Sequence, residues 1–405
     1  MECMDNQGNV NMVSIEKPKG EQPKVEDNYR PGLEGVICNK SSVSHVDGLQ
    51  GILEYRGINI RELAEESCFE ETAYLLLYSH LPSEREFNQF KTLLTKSRYI
   101  SNTIREAITH FPVGMHPMIA LQTATALLQG EDYYADDVCS SRHNLRRAIS
   151  LIARMPTILA AFERHRNGEE PIPPQSKYNH AENLLYMLTG NPPNPEAARV
   201  LDKALILHME HTMNASTFTA RVIGSTQASI YSAISGAVGA LSGSLHGGAN
   251  ERVIRMLYSI GHPDNVESFV DEKLNAKAKI MGIGHRVYKT KDPRADVLQS
   301  LIPELLDAFP GEEVKTLYKI ALKLEEIVDK KLSHKNLCPN VDFYSGIVYE
   351  CLGIPIDLFT CLFAISRVVG WAAHWLEQVQ DNRIFRPTQQ YIGDHNRPYI
   401  PIKER

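Results

Sequence analysis

Two spacings of apolar residues divide the chain. Over 33–57, "LEGVICNKSSVSHVDGLQGILEYRG", short β-leaning pieces are broken by Asp47-Gly48 and Gly51, a pattern that predicts small strands or a hairpin. From about residue 59 the period changes to that of a helix. "INIRELAEESCFEETAYLLLYSHLP" predicts two short helices, with Ser67 placed to cap the second and Glu70 three residues on. "EREFNQFKTLLTKSRY", "NTIREAITHFP", "MHPMIALQTATALLQG" and "SSRHNLRRAISLIARMPTILAAFERHRNG" continue the pattern, punctuated by Pro112, Pro117 and Pro156. The Pro-rich "EEPIPPQS" (169–176) is a predicted loop, after which helices resume at "HAENLLYMLTG" and "NPEAARVLDKALILHMEHTMN" and run on to the C-terminus. Strand and helix do not alternate, so a parallel α/β sheet is not expected. The pattern predicts a mainly α fold of many packed helices with a short hairpin-like segment near its N-terminus. Residues 1–29 are polar and read as a flexible tail or contact arm rather than a secretory or mitochondrial leader.

One stretch departs from amphipathic patterning. Val222 to Leu245 carries no formal charge and is long enough to span a bilayer. Its many Ser, Thr and Gln residues and few large aliphatics favour a buried helix of small residues instead. Ala220, Gly224, Ala228, Ser232, Gly236, Gly239 and Gly243 would let helix backbones approach closely, either within the chain or at a subunit interface.

Composition narrows the function classes. The 405 residues are 43% hydrophobic and 23% charged, enough to bury a large core in two or three domains. The net charge is −6, so neither nucleic acid nor an anionic membrane is an expected partner, and an anionic ligand must be held by a local cluster of Arg and His. Seven cysteines at 3, 38, 68, 139, 338, 351 and 361 include no CxxC, which fits a reducing compartment and argues against a disulfide scaffold or zinc knuckle.

Five stretches carry candidate chemistry. In "LHMEHTMNAS", His208 and His211 lie three apart on one side of a helix and read as structural, as a metal pair or as ligand contacts. In "SLHGGANE", Gly247 and Gly248 free His246 from a regular helix, though a turn histidine without a role fits equally. "GIGHRVYKTKDPRADVL" holds His285 and, after the helix-starting Asp292-Pro293, Arg294; Arg286, Lys289 and Lys291 form either a solvated basic face or a seat for a polyanion. In "CPNVDFYSG", Asp342 sits between Val341 and Phe343, where desolvation would raise its pKa toward that of a general base. "AISRVVGWAAHW" and "RIFRPTQQY" place Arg367 and Arg386 among apolar neighbours, which suggests anionic partners. No Rossmann fingerprint, P-loop or HExxH accompanies them. Three histidines, one semi-apolar aspartate and three arginines suit acid–base chemistry on a small polycarboxylate.

In their order, "LHMEHTMNAST", "LHGGANE", "GIGHRVYKTKDPR", "PNVDFYSG" and "SRVVGWAAHW…RP" resemble the citrate synthase family in its bacterial form, as do "GLEGV", "GILEYRG" and "MHPM" upstream. The resemblance covers about residues 30–400. It implies an acyltransferase of the tricarboxylic acid cycle that condenses acetyl-CoA with oxaloacetate and water to citrate and CoA. Asp342 would take the methyl proton, His246 would bond the thioester oxygen, and His285 would donate to the oxaloacetate carbonyl. His211 would hold oxaloacetate together with His285, and Arg294, Arg367 and Arg386 would bind carboxylates, with Arg386 reaching in from the other subunit of a homodimer or an oligomer of dimers. Lys289 would meet a CoA phosphate, and His208 would be structural. No metal and no cofactor beyond the CoA thioester substrate are implied, and the expected location is cytoplasmic. The resemblance also implies a large helical domain from 30–250 and 354–405 and a small one from 251–353, with a cleft that closes on oxaloacetate and excludes water. Two other functions share the scaffold: 2-methylcitrate synthase, using propionyl-CoA, and a non-catalytic citrate- or CoA-binding regulator.

Overall fold

The structure, a computed structural model, describes residues 29–332 and 337–405; the expected tail lies almost wholly outside them. Sixteen α-helices and three short strands make up the described chain, with a few single 3-10 turns. It is mainly α with a small N-terminal sheet, as the apolar spacing predicts. Contacts group the described residues into two units, 29–40 with 386–405, and 41–385. The first is mostly exposed irregular chain with two 3-10 turns, Pro31–Leu33 and Ile402–Glu404. The second holds the hydrophobic core, and the boundaries expected at 250 and 353 both fall inside it.

Within the second unit, Ser44–Asp47, Ile52–Tyr55 and Ile58–Asn59 pair as an antiparallel meander, with Ser44 opposite Tyr55 and Asp47 opposite Ile52. Asp47 closes the first turn by accepting the backbone N–H groups of Leu49 and Gln50 at 2.9 and 3.0 Å. Tyr55, fully buried, points its hydroxyl at the end of helix Pro195–His208, where the carbonyls of Ile206 and Glu210 lie at 3.1 and 3.0 Å. A helix leaves its last carbonyls unpaired, and this side chain from the sheet meets them.

Helix Phe359–Gln380 runs through the core, with Trp371 and Trp375 both inaccessible. Each large apolar side chain buried in this way contributes about 1.5–3 kcal/mol. The segment is long and apolar enough to cross a membrane, but 89% of its apolar window is buried by the rest of the fold. The uncharged run at 222–245 is not one helix. It breaks after Ser225, with Gln227 at φ +63°, and resumes at Ile230–Leu241. The two pieces pack so closely that a Cβ on Gly236 would lie 2.3 Å from Ile223 Cδ1, which is the intramolecular use of small residues.

Two local expectations are corrected. Ser67 ends helix Ile60–Glu66 rather than starting the next one; the N-terminal amide of Phe69 is met instead at 3.0 Å by Asp202, from helix Pro195–His208. Glu70 turns inward to accept the His180 N–H at 2.9 Å. Pro156 does not break its helix, which runs Ser141–Arg166 through it. Pro156 is buried among packed neighbours there, so tertiary burial outweighs the lost N–H.

Candidate active site

Four of the singled-out residues stand at or beside helix N-termini. Asn214 caps Ala215–Ser225 just after His211, and His246 precedes Ala249–Ile260. Asp292 caps Pro293–Ala308, which carries Arg294 at its second position, and Asn340 caps Val341–Cys351, which carries Asp342 at its second. Helix N-termini favour negative charge nearby. The charges act on one another as neighbours: Asp342 feels Arg294, Asp292, Arg367 and Arg252, His211 feels Arg294, His285 and Arg367, and His246 feels Arg367.

The loop carrying His285 owes its course to glycine. Gly282 and Gly284 take φ of +76° and +89°, and the strip pairs with the strand-like stretch before Asp342. Gly284 N–H donates to Cys338 O at 2.8 Å, Asn340 N–H to Gly282 O at 2.9 Å, and Asn340 Nδ2 to Gly284 O at 3.0 Å. On the other side the loop meets the sheet's first turn. Lys289 N–H donates to Gly48 O at 2.8 Å, and a Cβ on Gly48 would lie 2.3 Å from Val287 O.

Backbone amides fix the histidine tautomers. His246 Nε2 accepts from Ser216 N–H at 3.2 Å and lies 2.8 Å from its hydroxyl. With Nε2 an acceptor, the proton of a neutral His246 sits on Nδ1. His285 is the reverse: Nδ1 accepts from the amides of Val287 and Tyr288 at 3.0 and 3.2 Å, so Nε2 carries the proton. Both rings are neutral at pH 7. Burial pushes each down to about 4, helped by Arg367 at His246 and by Arg294 at His285. His211 is buried; burial, Arg294 and His285 hold it well below the usual range, and its Nε2 lies 3.1 Å from the Tyr288 hydroxyl. The rings of His211 and His285 stand edge to face, 5.3 Å between centroids.

Asp342 is the uncommitted acid. Its Oδ1 is buried with no hydrogen-bond partner among the described residues, and burial pushes its carboxyl up to about 7 against the opposing pull of Arg294. The two nearby arginines differ. Arg294 is gripped in a fork by Asp292, Nε to Oδ1 at 3.0 Å and Nη2 to Oδ2 at 2.7 Å; burial opposes its charge, but Asp292 outweighs burial. Arg367 has no carboxylate within ion-pair distance among the described residues. Its Nε donates to His208 O at 2.6 Å, its guanidinium lies 4.6 Å from the Phe363 ring centroid, and burial pushes it down to about 10, still cationic at pH 7. A buried guanidinium with most of its donors uncommitted is suited to a carboxylate.

The remaining singled-out residues have other surroundings. His208 is fully buried, donates Nδ1–H to Ala204 O at 2.7 Å and packs edge-on against Phe363. Its carbonyl, not its ring, serves the site. No group of three or more His, Cys, Asp or Glu able to hold a metal occurs among the described residues. Lys289 is exposed. Arg386 belongs to the first unit and is exposed, with Nη1 on Pro387 O at 2.9 Å; its apolar sequence neighbours do not bury it, because the chain around it is irregular and open. Sequence reasoning missed Asp292 as the partner of Arg294, Ser216 as the anchor of His246, and Tyr288. The Asp292-Pro293 pair signalled a helix start, and the same carboxylate does both jobs; nothing local marked Ser216 or Tyr288.

Two neutral histidines with opposite protons exposed, one unpaired aspartate of raised pKa and two buried arginines define an acid–base enzyme for anionic, carbonyl-bearing substrates. The citrate synthase, C-terminal domain family matches residues 32–388. A citrate synthase of Synechocystis is 51% identical over 378 residues, 93% of this chain and 94% of that protein. Citrate synthase 2 of Bacillus subtilis is 46% identical over 92% of this chain and 98% of its own length. Among solved structures, citrate synthase from Pyrobaculum aerophilum superposes with a TM-score of 0.89 at 39% identity, covering 98% of this chain and all of that one. The ternary complex of carboxymethyl coenzyme A and oxaloacetate with citrate synthase from Thermoplasma acidophilum superposes with a TM-score of 0.88 at 36% identity, covering 93% of this chain and 99% of that one. The chain belongs to the citrate synthase family.

Proposed function

We propose that this chain condenses acetyl-CoA with oxaloacetate, releasing citrate and CoA after hydrolysis of the joined thioester. The reading rests on one observation above all, the pairing of an uncommitted Asp342 carboxyl with two neutral histidines whose tautomers are fixed by backbone amides. Asp342, as carboxylate, takes a proton from the acetyl methyl. Electron density moves onto the thioester oxygen, where His246 Nδ1–H donates. The resulting enolate carbon attacks the ketone carbon of oxaloacetate, and His285 Nε2–H donates to the oxygen that becomes the citrate hydroxyl. Water then cleaves the citryl thioester. A carboxyl near pKa 7 is a far better match to carbon-acid chemistry than one near 4, because proton transfer improves as the base strengthens.

Oxaloacetate is held by Arg294, Arg367 and His211, with Arg386 supplied by the second copy of a homodimer. Asp292 keeps Arg294 in a fixed orientation, so one face of its guanidinium stays turned to the substrate. Lys289, exposed on the loop after His285, meets a phosphate of CoA in this reading. Residues 251–353 act as a small domain that closes over oxaloacetate before acetyl-CoA reacts. No cofactor beyond the CoA thioester takes part, and the enzyme works in the cytoplasm. Steady-state kinetics with acetyl-CoA and propionyl-CoA at saturating oxaloacetate test the assignment: kcat/KM is expected to favour acetyl-CoA, and a preference for propionyl-CoA would reassign the chain to 2-methylcitrate formation. A single methylene is worth about 1–3 kcal/mol, or roughly 10–200-fold, in such a comparison.

A further inference from the structure

The loop that carries His246 is thinly held. Residues 242–245 are all exposed, Leu245 almost completely, and among the described residues the ring's hydrogen bonds are all to Ser216. Within the loop, His246 N–H donates to Gly243 O at 2.9 Å and Gly247 N–H to Leu241 O at 2.9 Å, so the turn closes on itself. One long side chain reaches back to it. Arg252, in the first turn of Ala249–Ile260, donates Nε–H to Gly248 O at 3.0 Å and Nη2–H to Ser244 O. These two carbonyls lie two residues to either side of His246. A planar guanidinium presents its donors in a fixed fork, so it ties the two flanks of the histidine together as a flexible ammonium cannot.

We propose that Arg252 is a positioning residue for His246, a rigid clasp across the loop that holds the imidazole where its Nδ1–H meets the thioester oxygen. The proposal rests on the role given to His246 above. Arg252 also contributes positive charge that opposes the raised pKa of Asp342. Clasp and charge are therefore separable: Lys at 252 keeps the charge and loses the fork, whereas Gln loses both.

Three variants test it in the full-length protein: Arg252→Lys, Arg252→Gln and His246→Gln. Arg252→Lys should lower kcat with acetyl-CoA by about tenfold to a hundredfold, the scale of a misplaced catalytic group. Oxaloacetate affinity by calorimetry should be unchanged, and so should the acid limb of the pH profile. Arg252→Gln should lose at least as much turnover and move the acid limb to higher pH, since Asp342 loses a cation that favours its ionised form. Amides of residues 243–248 should exchange faster with solvent in both. An Arg252→Lys variant with parental kcat and parental exchange would overturn the clasp, as would equal losses of turnover and oxaloacetate affinity, the mark of general destabilisation. His246→Gln separates the layers. If it is inactive while Arg252→Lys is parental, the clasp alone fails; if it keeps near-parental turnover, the role of His246 fails and the clasp with it.

Discussion

Replacing Asp342 with Asn should make the protein more stable and almost inactive. The carboxyl is held at about 7, mainly by burial, and its Oδ1 has no hydrogen-bond partner among the described residues. In the unfolded chain the same group ionises near its ordinary value of 3.8. The folded state therefore holds its proton more tightly, and stability falls as pH rises from about 4 to about 7. The whole shift would amount to about 4 kcal/mol at 1.36 kcal/mol per pH unit. Water entry and relaxation in a partly accessible site reduce this, so a gain of about 1–4 kcal/mol is expected for the Asn variant at pH 8. It should shrink steadily as pH falls and vanish only below about pH 4, where the parent carboxyl becomes protonated in the unfolded chain as well as in the folded one. Guanidinium chloride unfolding of both proteins at pH 4, 6 and 8 reads the difference. Turnover should fall by several orders of magnitude while oxaloacetate still binds, because Arg294 and Arg367, the proposed carboxylate ligands, are intact. Asp342→Glu, with its base displaced by one methylene, should retain more activity than Asn. Turnover of the Asn variant within about tenfold of the parent would refute the assignment of the base, and a stability gain as large at pH 4 as at pH 8 would refute the desolvation argument.

Three further outcomes are expected. The kcat/KM for acetyl-CoA should fall about tenfold per pH unit below roughly 7, where Asp342 becomes protonated; a flat profile from pH 5 to 8 would place the base elsewhere. Gly247→Ala should damage turnover, because its Cβ would lie 2.6 Å from the Leu241 carbonyl oxygen, whereas Gly248→Ala meets nothing within 4 Å and should stay near the parent; steady-state kinetics on the pair would show equal effects if the loop were merely flexible. Arg386→Ala and Asp342→Asn should each be inactive alone, yet mixed dimers should recover up to about half the parental activity if each site draws the two residues from different chains. No recovery after verified subunit exchange would put Arg386 in the site of its own chain.

Apolar spacing was enough to read the class of fold, and local context was enough to single out candidate residues for the chemistry. Helical spacing from residue 59 onward is a local property, and a helix buries whichever stripe is apolar. Isolated polar residues in apolar surroundings, such as Asp342 and Arg367, stood out because burying charge is costly and so needs a reason. Proton placement was left to the tertiary structure. His246 and His285 look alike in sequence, each beside glycine, and only the Ser216 amide on one ring and the Val287 and Tyr288 amides on the other give them opposite tautomers. Gly48 read as a turn former, whereas its missing side chain makes room for the carbonyl of Val287, some 240 positions along the chain. Arg367 and Arg386 shared apolar sequence neighbours, yet one is buried in the core helix and the other exposed. Spacing along the chain reports which residues share a face of one element; which backbone amide reaches a given ring is decided where separate elements pack, and that information is carried by no single segment.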